Sequence, residues 1–278
     1  MNWRIIRAIA RKDWQEVRQN GMAWKPMLIL PFMICVLLPL VIILGPTVFN
    51  IPMSSFTKGQ DIQTLVSSLP PVVQEQVAGM TEHQLMIYFI LAFTLAPMFL
   101  ILPIMTASII GSDSFVGEKE RKTMESLLYT PATERELFLG KMLAAVVPAV
   151  LVSWITFIVY VIILNVAGSP VMGRVWFPTP TWWPLILWVT PAVAVMGMLG
   201  AVLVSSRVST FMEAYQTTGL LVLPVVLLLV AQVGGVIYLS VGTTMIVGLV
   251  IWLVDAAFLW FSLKIFSRAA LMGQPGKA

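Results

Sequence analysis

The chain has 278 residues, of which 59% are hydrophobic and 11% are charged, and its net charge is +4. Soluble domains carry about 25% charged residues, so the composition excludes a soluble globular protein and indicates a polytopic membrane protein. The lone cysteine, Cys35, excludes an intrachain disulfide. Because the longest polar segments reach only roughly 30 residues, too few for a second core, we expect one membrane domain over residues 1–278.

The first 25 residues predict an interfacial helix, here called the elbow helix. One helical arc is largely apolar and carries Trp3, Ile6, Ala10, Trp14 and Val17. The opposite arc is basic and carries Arg4, Arg7, Arg11 and Arg18. Such a helix lies flat on an anionic leaflet with its tryptophans at headgroup depth, so we expect membrane lipid as a partner. Asp13 departs from the apolar arc. A basic tail for nucleic acid is disfavoured, because a membrane span follows at once.

Six apolar runs are long enough to cross a hydrocarbon core of about 30 Å at about 1.5 Å per residue. They cover residues 26–49, 85–110, 139–166, 184–204, 219–239 and 243–265. Capping boxes predict helix starts at Thr81 with Gln84, Thr133 with Glu136, and Thr210 with Glu213. The predicted fold class is therefore all-α with six transmembrane helices. Residues 50–84 would form an external loop and residues 266–278 a short cytoplasmic tail.

The distribution of basic residues predicts the orientation. With six spans, only Lys58 and Arg174 lie on the side opposite the N-terminus, and every other lysine and arginine lies on the N-terminal side. Basic residues concentrate in cytoplasmic segments. We therefore expect a multi-pass protein of the cell membrane with both termini in the cytoplasm.

A polar stretch, residues 111–141, separates the second and third spans and holds more than a third of the charged residues. It is predicted to face water, and residues 111–138 are assigned as a cytoplasmic loop. Glu118 with Lys122, and Arg121 with Glu125, would pair one helical turn apart, each worth about 0.3 kcal/mol. Pro131 would end this short amphipathic helix. Its other face would carry Met124, Leu127 and Leu128.

The run D-x-F-x-G-E-K-E-R-K-T-x-E-x-L-L-x-x-P from Asp113 to Pro131, followed by E-L-x-x-G-K from Glu136 to Lys141, resembles permease subunits of type-2 ATP-binding-cassette (ABC) exporters. In that family the chain begins with an elbow helix, and the charged segment is a coupling helix that docks on a separate ATPase subunit, so the resemblance implies that residues 111–138 are a coupling loop. The resemblance implies that docking involves Gly117, Glu118, Lys119, Glu120, Arg121, Lys122, Thr123, Met124, Glu125, Leu127 and Leu128. Pro131, Thr133 and Glu136 would end this helix and cap the next.

The chain has no nucleotide-binding motif of its own. Where a phosphate-binding G-x-x-x-x-G-K-[ST] loop would end at Gly140 and Lys141, Arg135 replaces the first glycine and Met142 replaces the hydroxyl residue. A single histidine, His83, excludes an H-E-x-x-H zinc site. We therefore expect no catalytic residue, no cofactor and no metal in this chain. ATP and Mg would be held by the partner ATPase, and the partner permease would be a second copy or a homologue.

Two other functions compatible with the sequence stay open. A stand-alone secondary transporter would need ionisable groups within its spans, and Asp255 is the clear candidate. The competing interpretation is structural, with Asp255 facing the bundle interior and bonded to a serine or threonine. A permease of the same architecture could also transmit force or a signal without moving a substrate, although the external loops are short.

Overall fold

The computed structural model describes residues 2–48, 74, 77–123 and 132–265, and all the regular secondary structure within these residues is helical. The helices are α1 (Trp3–Gln19), α2 (residues 21–48), α3 (Glu82–Glu120), α4 (Glu134–Met172), α5 (Trp182–Ser205), α6 (Phe211–Val233) and α7 (Val241–Ile265). Helices α2 to α7 each contain a segment long and apolar enough to cross a membrane. The prediction of an all-α, six-span protein is confirmed.

The two longest helices are α3 and α4. Helix α3 continues without a break to Glu120, so residues 111–117, predicted as loop, are helix. Helix α4 begins at Glu134, as the capping box at Thr133 predicts, so residues 134–138 of the predicted loop are helix as well. At about 1.5 Å per residue, these helices of 39 residues are longer than the roughly 40–45 Å thickness of a whole bilayer. Their ends near residues 120 and 134 therefore project beyond the hydrocarbon. We call the end of the bundle that contains residues 120 and 134 the α1 end, because α1 packs there.

Helices α3 and α5 form the centre, because most of their side chains are buried. The outward faces of α2, α4, α6 and α7 are lined with exposed aliphatic side chains, as expected for lipid-facing helices. At the end opposite α1, stacked and edge-to-face rings form the core, contributed by Phe99, Phe157, Tyr160, Phe177 and Trp182. Trp182 is fully buried, and its indole donates to the Ala92 carbonyl over 2.8 Å.

Two of the three predicted capping boxes are complete. Thr81 with Gln84, and Thr133 with Glu136, each exchange both cap hydrogen bonds. At Thr210 only half of the box forms, because the Glu213 carboxylate accepts from the backbone of Ser209 instead. Of the predicted external loop, residues 50–73, 75 and 76 lie outside the described residues, as does the predicted tail, residues 266–278.

Helix α1 packs directly against the start of α4. A Cβ atom built on Gly140 would lie 2.9 Å from both Cβ and Cγ2 of Ile9 and 3.2 Å from the Ile6 carbonyl oxygen. Ile6 is fully buried and Val17 nearly so. Only a residue without a side chain therefore allows the two helices to approach this closely.

We predict that Gly140→Val moves α1 away from α4, because the added methyl groups occupy the space of Ile9. Spin labels at the exposed residues Gln15 and Arg135 should report a longer and broader distance distribution in this variant. Gly219→Val is the matched control, because a Cβ there meets no atom within 4 Å. An unchanged distance in Gly140→Val would show that the close approach is not required.

Candidate functional site

The buried face of α1 contains a carboxylate as well as apolar side chains. Ile6, Ile9 and Val17 are buried on this face, and Asp13 between them is 1% exposed. The sequence pattern marked Asp13 as an exception on a lipid-facing arc. In the structure this face packs on the protein, so the expectation that Ile6 and Val17 face the lipid is wrong.

Lys141, on the first turns of α4, explains the buried acid. Its ammonium donates to the Glu118 carboxylate and the Ser114 carbonyl, each over 2.6 Å, and to the Asp13 carboxylate over 3.4 Å. Ser114 also donates its hydroxyl to Asp13 over 2.8 Å. Lysine has three N–H donors, so every donor of this buried ammonium has an acceptor. Lys141 thereby joins α1, α3 and α4.

Lys12 approaches the same carboxylates from the solvent side. It forms a hydrogen-bonded ion pair with Glu118 and lies 3.1 Å from Glu16 and 3.7 Å from Asp13. The carboxylate oxygens of Asp13, Glu16 and Glu118 lie within 4.8 Å of one another, as in a metal site. Lys12 contacts all three carboxylates and Lys141 contacts Asp13 and Glu118, so the two ammonium groups compensate two of the three negative charges.

A second ion pair, between Arg121 and Asp113, lies beside these carboxylates. Arg121 donates to the Asp113 carboxylate over 3.0 Å, and the Asn20 amide, just after α1, donates to the same oxygen over 3.1 Å. Asp113–Gly117 is a π-helical turn, which often marks functional sites. A Cβ on Gly117 would lie 2.7 Å from Asp113 Oδ1 and 3.1 Å from Arg121 Nη1, so glycine makes room for the pair.

We refer to Lys12, Asp13, Asp113, Glu118, Arg121 and Lys141 as the charge cluster. Burial acts to lower the pKa of Lys12, but the bond to Glu118 and the nearby Asp13 and Glu16 outweigh it and raise this pKa. The stabilisation by Lys12 is therefore complete below the ordinary lysine value of about 10.4 and is lost only as the pH rises through the raised folded value. Burial likewise acts to lower the pKa of Arg121, but the hydrogen bond to Asp113 and its negative charge outweigh burial and raise this pKa.

Glu136 connects the beginnings of two helices. Its carboxylate accepts from the backbone N–H of Thr133 over 3.0 Å and from that of Asn2 over 2.5 Å. Thr133 and Asn2 are the N-cap residues of α4 and α1. The predicted cap at Glu136 therefore also holds the first turn of α1.

The segment before α6 is held by the end of α3. The Glu120 carboxylate accepts from the backbone N–H of Phe211 over 2.8 Å, at the positive N-terminus of α6. Lys119 reaches the Val208 carbonyl at 3.5 Å. The end of α3 and the segment before α6 are therefore joined at the α1 end.

The structure divides the predicted docking residues into three groups. Lys119, Glu120, Arg121, Lys122 and Thr123 are exposed. Gly117 and Glu118 are buried, so the expectation that the whole stretch faces water is wrong for them, as it is for Asp113 and Lys141. Glu118 does not pair with Lys122 as predicted, because the helix ends first and Lys122 has a φ of 56°. The predicted residues outside the described part are Met124, Glu125, Leu127, Leu128 and Pro131.

The predicted membrane-contacting residues of α1 remain on its open sides. Trp3 and the four arginines, Arg4, Arg7, Arg11 and Arg18, are exposed, and Trp14 is partly buried. Contact of these residues with lipid remains a prediction. Near the middle of α7, Asp255 is 3% exposed, which agrees with the interior position predicted for it. Neither of its oxygens has a hydrogen-bond partner among the described residues, so the predicted bond to serine or threonine is not formed.

Sequence reasoning missed Lys12, Asp13, Asp113 and Lys141 as site residues. Averaged over residues 111–141, the charges of Asp113 and Lys141 indicate a water-exposed loop. One signal was available, because an acid at position 13 on an otherwise apolar arc needs a cation in the protein. Which cation it is depends on the packing of α1 against α4, which no local pattern reports.

We predict that Lys141→Met destabilises the protein by roughly 3–5 kcal/mol, because it leaves Asp13 and Glu118 buried with an ammonium missing. The thermal midpoint in detergent should fall by on the order of 10 °C. Arg135→Met, on the same helix but exposed, should change it by at most about 0.5 kcal/mol. Adding Asp13→Asn and Glu118→Gln to Lys141→Met should recover part of the loss. Equal midpoints for Lys141→Met and Arg135→Met would contradict this account.

Comparisons with known proteins bear on the whole chain. A search of curated proteins and a search of solved structures each found no match. The family model described as ABC-2 family transporter protein matches residues 7–269, from the second turn of α1 to beyond α7. With six candidate membrane-spanning helices in the matched region, the chain belongs to the ABC-2 family of transporter proteins.

Proposed function

We propose that this chain is the membrane-spanning subunit of an ATP-driven exporter. It would form the translocation path with a second copy or a homologous permease and would couple to separate ATPase subunits. Membership of the ABC-2 family supports a permease that works with an ABC ATPase. The observation that carries the proposal is the charge cluster, which connects the ends of α1, α3 and α4 next to the family-like motif.

The charge cluster suits a coupling element for a mechanical reason. Residues 121–133 connect α3 to α4, and the ion pair between Glu118, near the end of α3, and Lys141, on the first turns of α4, ties these helices together beside that segment. A force on the segment therefore acts on both helices and, through Lys12 and Asp13, on α1. ATP binding in a partner can drive such a change only if the partner contacts the segment differently in its two nucleotide states.

Residues 205–216, at the start of α6, would move with the end of α3. Because Glu120 holds the N-terminus of α6, a displacement of the end of α3 reaches α6 without a separate contact. In the proposed complex residues 205–216 therefore need not dock on the ATPase themselves. The exposed residues Lys119, Lys122 and Thr123, together with the predicted apolar face of Met124, Leu127 and Leu128, would form the docking surface.

A stand-alone secondary transporter is the competing function, and Asp255 is the observation that favours it. A buried carboxylate without a hydrogen-bond partner among the described residues is the kind of group that relays protons within a membrane. Our proposal instead assigns Asp255 a structural position between α7 and the bundle interior. A complex that only transmits force would share the docking surface, so substrate movement decides that alternative.

We predict that Leu127→Asp with Leu128→Asp abolishes co-purification of the ATPase, because two charges on an apolar contact face oppose its burial. The measurement is the amount of ATPase retained per permease. Arg174→Glu, on a loop at the opposite end of the bundle, is the control and should retain the ATPase. The thermal midpoint of the permease alone should be unchanged in both variants. Full retention with the double variant would count against docking at this segment.

We predict that Asp255→Asn leaves substrate transport and ATP turnover within about twofold of wild type, since amide and carboxyl are similar in size and no ion pair is lost. Transport by reconstituted complex, with and without an imposed proton gradient, is the measurement. Loss of transport in the variant, or gradient-driven transport in wild type without ATP, would support the secondary transporter.

A further inference from the structure

An apolar groove runs between α1 and α4 at the α1 end of the bundle. It has a volume of about 520 Å³, which lies in the usual range for a small-molecule site, roughly 300–1,000 Å³. We call it the α1–α4 groove. Its lining residues are Ala10, Arg11, Trp14, Leu143, Ala144, Val147, Pro148, Leu151, Val152 and Ile155.

The floor of the groove continues a lipid-facing surface. Val147, Leu151 and Ile155 are 45%, 48% and 61% exposed. The same stripe continues along α4 through Ile158, Ile162 and Val166, which are also exposed. From Leu143 to Ile155 the groove extends about 18 Å at about 1.5 Å per residue, close to the roughly 15 Å of hydrocarbon in one leaflet. A single acyl chain fits this length.

The mouth of the groove is basic. Arg11 lines it, and Arg7 and Arg18 lie beside Arg11 on the same stripe of α1, next to Trp14, which also lines the groove. All three arginines are exposed. No carboxylate of the described residues lies within ion-pair distance of them, whereas Lys12, on the other flank of α1, contacts three. Guanidinium groups bind phosphate well, and tryptophan favours headgroup depth.

We propose that the α1–α4 groove binds one anionic phospholipid. The acyl chain lies along α4 from Leu143 to Ile155, and the phosphate is held by Arg11 with Arg7 and Arg18 nearby. This occupant satisfies the apolar floor and the unpaired cations of the mouth at once. A second copy of the chain would cover the apolar floor but would need a matching acidic surface for the arginines. The inference does not depend on the proposed export function, because it uses only α1 and α4.

The test uses the purified, delipidated full-length chain and native mass spectrometry, with phosphatidylglycerol and phosphatidylcholine as probes. Wild type should bind one added phosphatidylglycerol tightly and should bind phosphatidylcholine more weakly. Arg11→Gln should weaken phosphatidylglycerol binding about tenfold, since a charge-assisted phosphate contact is lost. Leu151→Trp should abolish tight binding by filling the groove. Inorganic phosphate at millimolar concentration should not displace the lipid.

Two matched controls keep the proposal falsifiable. Ile162→Trp places the same bulk on the same exposed stripe of α4 but beyond the groove, and Arg174→Gln removes an exposed arginine at the opposite end. Both should bind phosphatidylglycerol like wild type. Equal losses in Leu151→Trp and Ile162→Trp, or equal affinity for the two lipids, would overturn the proposal. So would a disulfide between two copies of Leu151→Cys in membranes, which would place another chain on the groove.

Discussion

The buried ammonium of Lys141 is the interaction on which the α1 end of the bundle depends. Each of its three donors meets an acceptor, and the acceptors come from two other helices, Asp13 on α1 and Ser114 with Glu118 on α3. An exposed pair of this kind contributes at most about 1 kcal/mol. Buried and fully bonded, the ammonium group is instead indispensable, because its removal leaves the Asp13 and Glu118 carboxylates buried without it. The positions of three helix ends are thereby mutually determined.

This arrangement changes the nature of the polar stretch between the second and third spans. A solvated loop would absorb a push through its own bending, with little effect on the helices it connects. Here the first part of the stretch is helix, Asp113 and Glu118 point into the protein, and Glu120 continues the connection to α6. Only residues 121–133 lie between the ends of α3 and α4. In the proposed complex, displacement of such a short segment would be passed to helices already joined by ion pairs.

Hydropathy was sufficient to predict the six spans, because the lipid core requires long uncharged helices whatever the fold. The boxes at Thr81 and Thr133 were also predictable, since capping depends on residues three positions apart. The end of α3 was not predictable in the same way. Charges such as Asp113 and Glu118 suggest exposure unless their partners are known, and those partners, Arg121 apart, come from α1 and α4. Gly140 and Lys141 matched a sequence motif. Only the packing shows that Gly140 allows α1 to approach α4 and that Lys141 pairs with Asp13 of α1.

Helix α1 has three chemically different sides, and this explains its position. A carboxylate on a lipid-facing surface is costly, so the side containing Asp13 is stable only against a cation, which Lys141 supplies. On one flank, Lys12 and Glu16 complete ion pairs with Glu118 and Arg121. The remaining flank carries Trp14 and the arginines, which have no such partners among the described residues and face the open side of the bundle. A helix with only an apolar face and a basic face could lie anywhere on the membrane surface. Asp13 restricts α1 to one docking site on its own chain.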